Sequence, residues 1–156
     1  MKILFSSDAL TPPSDVDAVC ITTNLQTRKD GSAVMGAGIA LAANKKWRLD
    51  QALGELIRAG NTGVTEIFAV RRGTAPALSI VAFPTKIDWR NRSSMVLIQR
   101  GMDQLKELAA KNNWQHVWLP SLGTNNGGLR REDVWPSMAK TLDDRFTLVL
   151  RERDPR

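Results

Sequence analysis

Apolar positions along this chain switch between short runs and helical spacing. Lys2 to Ser6 reads as a strand, and Thr11-Pro12-Pro13-Ser14 as a connecting turn. Val16 to Thr23 is apolar and rich in β-branched residues, which predicts a buried strand. From Gly36 to Trp47, residues Ile39, Ala40, Ala43 and Trp47 fall on one face of a helix. Leu49, Leu53, Leu56 and Ile57 trace a second helix, with Gly60 as its stop signal. Glu66 to Arg71 and Leu78 to Phe83 read as strands joined by a turn from Gly73 to Pro76. Ser93 or Ser94 is placed to cap a long helix whose core face is Ile98, Met102, Leu105 and Leu108. His116 to Leu119 is a strand, and Glu132 to Leu142 a helix with Val134, Met138 and Leu142 inward. Phe146 to Leu150 is the last strand.

Strands and helices thus intermix over the whole length. That pattern predicts a three-layer α/β/α domain with a mixed or mostly parallel sheet. Ligands of such sheets bind at the carboxyl ends of the strands. The informative loops are therefore those after Thr23, Phe83 and Leu119.

The first loop runs Gly31-Ser32-Ala33-Val34-Met35-Gly36-Ala37-Gly38-Ile39-Ala40 into a helix. Glycines let a ligand approach the backbone, and a helix start offers free N–H groups and a positive dipole end. Together they suit a phosphate or diphosphate. A tight strand-to-helix turn needs the same residues, and the spacing matches neither the dinucleotide fingerprint nor the P-loop. The second loop, Pro120-Ser121-Leu122-Gly123-Thr124-Asn125-Asn126-Gly127-Gly128-Leu129, also joins a strand to a helix. Its glycines and asparagines tolerate positive φ, so its N–H groups can form an anion nest. Read together, the two loops point to a diphosphate held between two backbone cradles. The third loop, Phe83-Pro84-Thr85-Lys86-Ile87-Asp88-Trp89-Arg90, places Lys86 just past a strand end on the same edge. Its ammonium can pair with phosphate, its neutral amine can act as a nucleophile, or it is a plain surface lysine. Trp89 stacks on a ligand or joins the core. Asp8 and Asn24 each close a strand, as ligand contacts or as turn and cap residues.

Composition narrows the chemistry. The 156 residues suggest one domain, 1–150, with a short charged tail, 151–156, holding Arg151, Arg153 and Arg156. Cys20 is the only cysteine and His116 the only histidine. A thiolate metal cage and an intrachain disulfide are therefore excluded, and no metal or cofactor is expected. His116 begins a strand away from all three loops and is read as non-catalytic. No apolar run approaches the roughly 20 residues needed to span a bilayer, and the start of the chain does not read as a signal peptide. A soluble, cytoplasmic protein, most simply a monomer with no membrane partner, is the expectation. The net charge of +6 favours an anionic partner such as a nucleotide or nucleic acid, although solubility alone accounts for it equally well.

The ordered series Asp8, Thr22-Thr23-Asn24, Met35-Gly36-Ala37-Gly38-Ile39-Ala40, Phe83-Pro84-Thr85-Lys86 with Trp89, and Leu119-Pro120-Ser121-Leu122-Gly123 to Gly127-Gly128-Leu129 resembles the macro domain family. The resemblance spans about residues 2 to 150 and is strongest to the DNA ADP-ribosyl glycohydrolase antitoxins and to stand-alone phage macro proteins. It implies a six-stranded mixed sheet with ADP-ribose in a cleft across its top, and a phage or bacterial origin. It further implies that Asp8, with the backbone of Ala9, takes the adenine amine and that Asn24 faces the distal ribose. Met35 to Ala40 would wrap the distal ribose and diphosphate from one side. Ser121, Leu122, Gly123, Thr124, Asn125, Asn126, Gly127, Gly128 and Leu129 would wrap the diphosphate from the other. Lys86 is the implied catalytic residue. Gln26 to Val34 is longer than the family's usual turn and adds Arg28, Lys29 and Asp30 beside the cleft. Asn126 and Gly127 stand where lysine-dependent relatives place an aspartate. Three functions follow as expectations: hydrolytic release of ADP-ribose from a modified target, preferably a DNA base; binding or sequestration of ADP-ribose or a related nucleotide signal without cleavage; and phosphatase action on ADP-ribose 1″-phosphate.

Overall fold

A computed structural model describes residues 1–151; most of the expected charged tail, 152–156, lies outside the described residues. The strands are β1 (Lys2–Phe5), β2 (Ala18–Asn24), β3 (Thr65–Arg72), β4 (Ala75–Lys86), β5 (Val117–Leu119) and β6 (Phe146–Leu150). The helices are α1 (Gly38–Trp47), α2 (Asp50–Arg58), α3 (Met95–Lys111) and α4 (Arg131–Thr141). The six strands form one sheet in the order β1-β6-β5-β2-β4-β3. Every neighbouring pair is parallel except β3 with β4. The expected mixed, six-stranded α/β architecture is therefore present.

Side chains on a strand alternate between faces, so one apolar run can serve two cores. Cys20, Val81, Phe83, Val117, Leu119, Phe146 and Leu148 join the core under α3 and α4. Val19, Ile21, Ile80, Ala82, Trp118 and Val149 join the core that includes Ala43 of α1 and Leu53 of α2. The two cores on opposite sheet faces make the three layers.

Several element boundaries shift, each for a physical reason. The first helix opens at Gly38, not Gly36, because Ala37 is extended (φ −149°) and Gly38 left-handed (φ +58°). Ser94, not Ser93, caps α3 by accepting from the Leu97 N–H at 3.3 Å. Val16 and His116 fall outside their strands, where the Asp17 carboxylate accepts the N–H groups of Gln115 and His116. β4 is twice the length expected and carries Lys86 as its last residue, not beyond its end. Pro84 has no N–H to give the ladder, and the register slips beside it: Thr23 pairs with Pro84, but Asn24 pairs with Lys86.

Candidate functional site

The carboxyl ends of β1, β2, β4 and β5 open on one cleft of about 920 Å³. Three segments far apart in sequence form its walls.

The first wall is the start of α1. Met35, Gly36, Ala37, Gly38, Ile39 and Ala40 all line the cleft. Helical bonding begins with Leu41 N on the Ala37 carbonyl at 3.2 Å. No side chain caps this end, and its first turn holds no acidic residue, whereas α2 opens with Asp50 and α4 with Glu132 and Asp133. The positive end of α1 is left to whatever enters the cleft.

The second wall is the loop from β5 to α4. Ser121, Gly123, Asn125, Asn126 and Gly127 line the cleft. Gly123 (φ +71°) and Gly128 (φ +73°) supply the left-handed bends. Loop carbonyls are tied down: Gly123 O accepts from Leu129 N (2.9 Å), Gly127 O from Ser93 N (2.8 Å) and Gly128 O from the Arg92 guanidinium (2.8 Å). These bonds occupy three of the loop's carbonyls and fix its bends. The expected loop, 121–129, divides between cleft and core. Leu122 is fully buried in the core, Leu129 packs against that core, and Thr124 shares a hydroxyl contact with Ser121 at 2.5 Å. These three and Gly128 do not line the cleft. Leu122 and Leu129 anchor the loop to the core.

The third wall is the junction of β2 and β4. The register slip beside Pro84 sets Lys86 opposite Asn24. The Lys86 amine donates to the Asn126 carbonyl at 3.4 Å, and so stands between the junction and the second wall. Asn24 is buried and uses its side chain locally: Nδ2 donates to the Val34 carbonyl (3.0 Å), and Oδ1 accepts from Gln26 N (3.0 Å). One amide hydrogen and one lone pair remain for a ligand. Asp8 and Ala9 line the far end, where the Asp8 carboxylate accepts from Leu10 N at 2.9 Å. Trp89 is no core residue; it is 52% exposed and lines the lip.

The segment 26–34 folds as a closed hairpin, not a loose flap. Thr27 and Ala33 form a bridge, and Arg28 N donates to the Ser32 carbonyl at 2.7 Å. Ala33 N reaches the Asp50 carbonyl of α2 at 2.8 Å. Hydrogen bonds from the Ser32 hydroxyl and N–H hold the Asp30 carboxyl below the usual carboxylate range. Arg28 lines the cleft from this hairpin.

Sequence reading gave no site role to Ser6, Thr85, Ser93 and Val149, which also line the cleft. Buried Ser93 donates to the Thr85 hydroxyl at 3.2 Å, packing the start of α3 against the end of β4. No local pattern marks that contact. Among the described residues no cluster of three or more His, Cys, Asp or Glu side chains could hold a metal ion, and no helix is long and apolar enough to cross a membrane.

The family model for the macro domain matches residues 29–138. A DNA ADP-ribosyl glycohydrolase of Mycobacterium tuberculosis is 32% identical over 123 residues, 78% of this chain and 33% of that protein. One from Thermus aquaticus is 31% identical over 113 residues, 71% of this chain and 30% of that protein. This chain thus spans about a third of the length of the curated relatives it matches. The solved macrodomain of Mycobacterium tuberculosis DarG superposes with a TM-score of 0.75 at 30% identity, covering 94% of this chain and 95% of that one. With the sheet order, the cleft and the family match in agreement, this chain belongs to the macro domain family.

Proposed function

We propose that this chain binds ADP-ribose in the cleft and releases it by hydrolysis from a modified target, with a DNA base as the preferred target and Lys86 acting at the distal ribose. The carrying observation is the position of the Lys86 amine, 3.4 Å from the Asn126 carbonyl, between the junction with Asn24 and the second wall. The uncapped start of α1 supplies the diphosphate site opposite, and the cleft has the size of a dinucleotide-scale ligand. The names of the relatives and the basic charge of the chain favour DNA.

In this reading Asp8 accepts the adenine amine, and the two backbone walls hold the diphosphate. The distal ribose then rests near Asn24 and Lys86. Release breaks the bond from the anomeric carbon to the target atom. The electron pair leaves with the target, which takes up a proton, and one water supplies the new C–O bond and that proton. As a nucleophile, the neutral Lys86 amine first forms a C–N bond at the anomeric carbon, which water later cleaves. As a cation, Lys86 instead assists the departure. Asp8 is the only carboxylate lining the cleft among the described residues, so water or a hydroxyl serves the leaving group.

The test is Lys86→Ala with ADP-ribosylated single-stranded DNA as substrate. Release falls at least about 100-fold while calorimetry still shows ADP-ribose binding. Equal turnover in the variant removes Lys86 from the mechanism. If the amine is the nucleophile, the sugar ring of that adduct opens, its oxygen taking a proton, to give an imine on Lys86, and borohydride added during turnover reduces this C=N bond and fixes ADP-ribose on Lys86.

The non-catalytic reading, a binder of ADP-ribose, is favoured by one observation: Lys86 faces a carbonyl and has no carboxylate beside it in the cleft. Tight binding of ADP-ribose with no product from any modified DNA, modified protein or ADP-ribose 1″-phosphate selects it. Phosphate release from the last compound selects the phosphatase reading.

A further inference from the structure

We propose that Ile87 and Trp89, flanked by Arg28 and Arg92, form the contact surface for a single nucleic-acid strand that carries the ADP-ribose; this rests on the reading above and names how its target is held.

Ile87 and Trp89 follow Lys86 directly and are 67% and 52% exposed. Large apolar side chains this exposed, two residues apart with Trp89 at the lip of the cleft, mark a contact surface rather than a core. The lip adjoins the end of the cleft where the distal ribose, and hence its attached target, would emerge. Leu25 N donates to the Ile87 carbonyl at 3.0 Å, which ties this lip to the base of the hairpin that brings Arg28 to the cleft. Beyond it, Arg92 reaches the Gly128 carbonyl of the second wall.

Charge selects the occupant. The Arg90 guanidinium, 5.9 Å from the Trp89 ring, is neutralised by Asp88 at 2.7 Å. With that pair set aside, residues 28–30 and 86–92 hold Arg28, Lys29, Lys86 and Arg92 against Asp30 alone. An exposed indole among cations is the pattern that binds single strands: bases stack on the ring, and phosphates meet the guanidinium and ammonium groups. A duplex would keep its bases stacked and away from Trp89. An acidic peptide would answer the cations but leave the indole without a stacking partner.

The experiment uses the full chain with Lys86→Ala, so that nothing is cleaved. It titrates three ligands: ADP-ribose, a short single-stranded oligonucleotide with ADP-ribose on one base, and a peptide with ADP-ribose on one carboxylate. The oligonucleotide is expected to bind at least about tenfold tighter than ADP-ribose at low salt, with the gain shrinking as salt rises. Trp89→Ala removes most of the gain, Arg92→Ala lowers the salt dependence, and Trp89→Phe keeps most of it. Because Trp89 also lines the cleft, the gain is read in each variant as the ratio of oligonucleotide affinity to ADP-ribose affinity. A strand that adds nothing to ADP-ribose binding, a gain indifferent to Trp89, or a peptide that binds as tightly as the strand overturns the rim. ADP-ribose that binds without a strand gain leaves the proposed function standing; failure to bind ADP-ribose at all overturns both.

Discussion

Gly38 and Asn126 meet across the cleft: a Cβ on Gly38 would stand 2.9 Å from the side-chain nitrogen of Asn126. The start of α1 and the loop between β5 and α4 therefore close on each other, with the Asn126 carbonyl at the same time holding the Lys86 amine. Gly38 also sits at φ +58°, where a side chain costs about 1–2 kcal/mol. Gly38→Ala is expected to weaken ADP-ribose binding about tenfold and to lower the melting midpoint by a few degrees. Calorimetry and a thermal melt check both, and unchanged affinity would mean that the contact of the two walls does not serve binding.

Gly54 of α2 lies directly under the Gly31 carbonyl of the hairpin, and a Cβ there would also stand 2.9 Å from Ser32 Cα. Alanine gains about 1 kcal/mol of helix propensity over glycine. The backbone contact is too close for any Cβ, so the clash wins. Gly54→Ala should melt several degrees lower, and its 26–34 hairpin should be cut faster in limited proteolysis. A higher melting midpoint would show that the hairpin yields without cost.

Asp143 accepts from the Arg145 guanidinium at 2.9 and 2.8 Å, just ahead of β6. The side-chain hydrogen bonds from Arg145 hold its carboxyl down at about 2, from an ordinary 3.8. Because the folded value is the lower one, the stabilisation is complete above about pH 4 and is lost as pH falls through about 2. The pair is partly solvated, so roughly a few tenths of a kcal/mol are at stake. Denaturant melts of Asp143→Asn should show a shallower loss of stability across that acid range than the parent chain.

Cys20 is fully buried in β2, and burial pushes its thiol far above the ordinary range. It should resist an aromatic disulfide reagent at pH 8 for as long as the chain is folded, and react with one equivalent in denaturant. Rapid labelling of the folded protein would mean that the sheet centre opens easily.

The alternation of apolar residues already told which segments pair in a sheet and which cover it. Val19 and Ile21 face one core and Ala18 and Cys20 the other, because a pleat has a period of two. The glycine-rich loops, and the lysine near the end of a strand, were equally visible, since each depends on its own few residues. The inward turn of Leu122, the Ser93 contact with Thr85 and the touch of Gly38 on Asn126 were not. Each depends on a partner many residues away, brought near only by strand pairing. The register slip at Pro84 is the sharpest case: one missing N–H is written in the chain, but that it sets Lys86 beside Asn24 follows only once β2 lies parallel to β4.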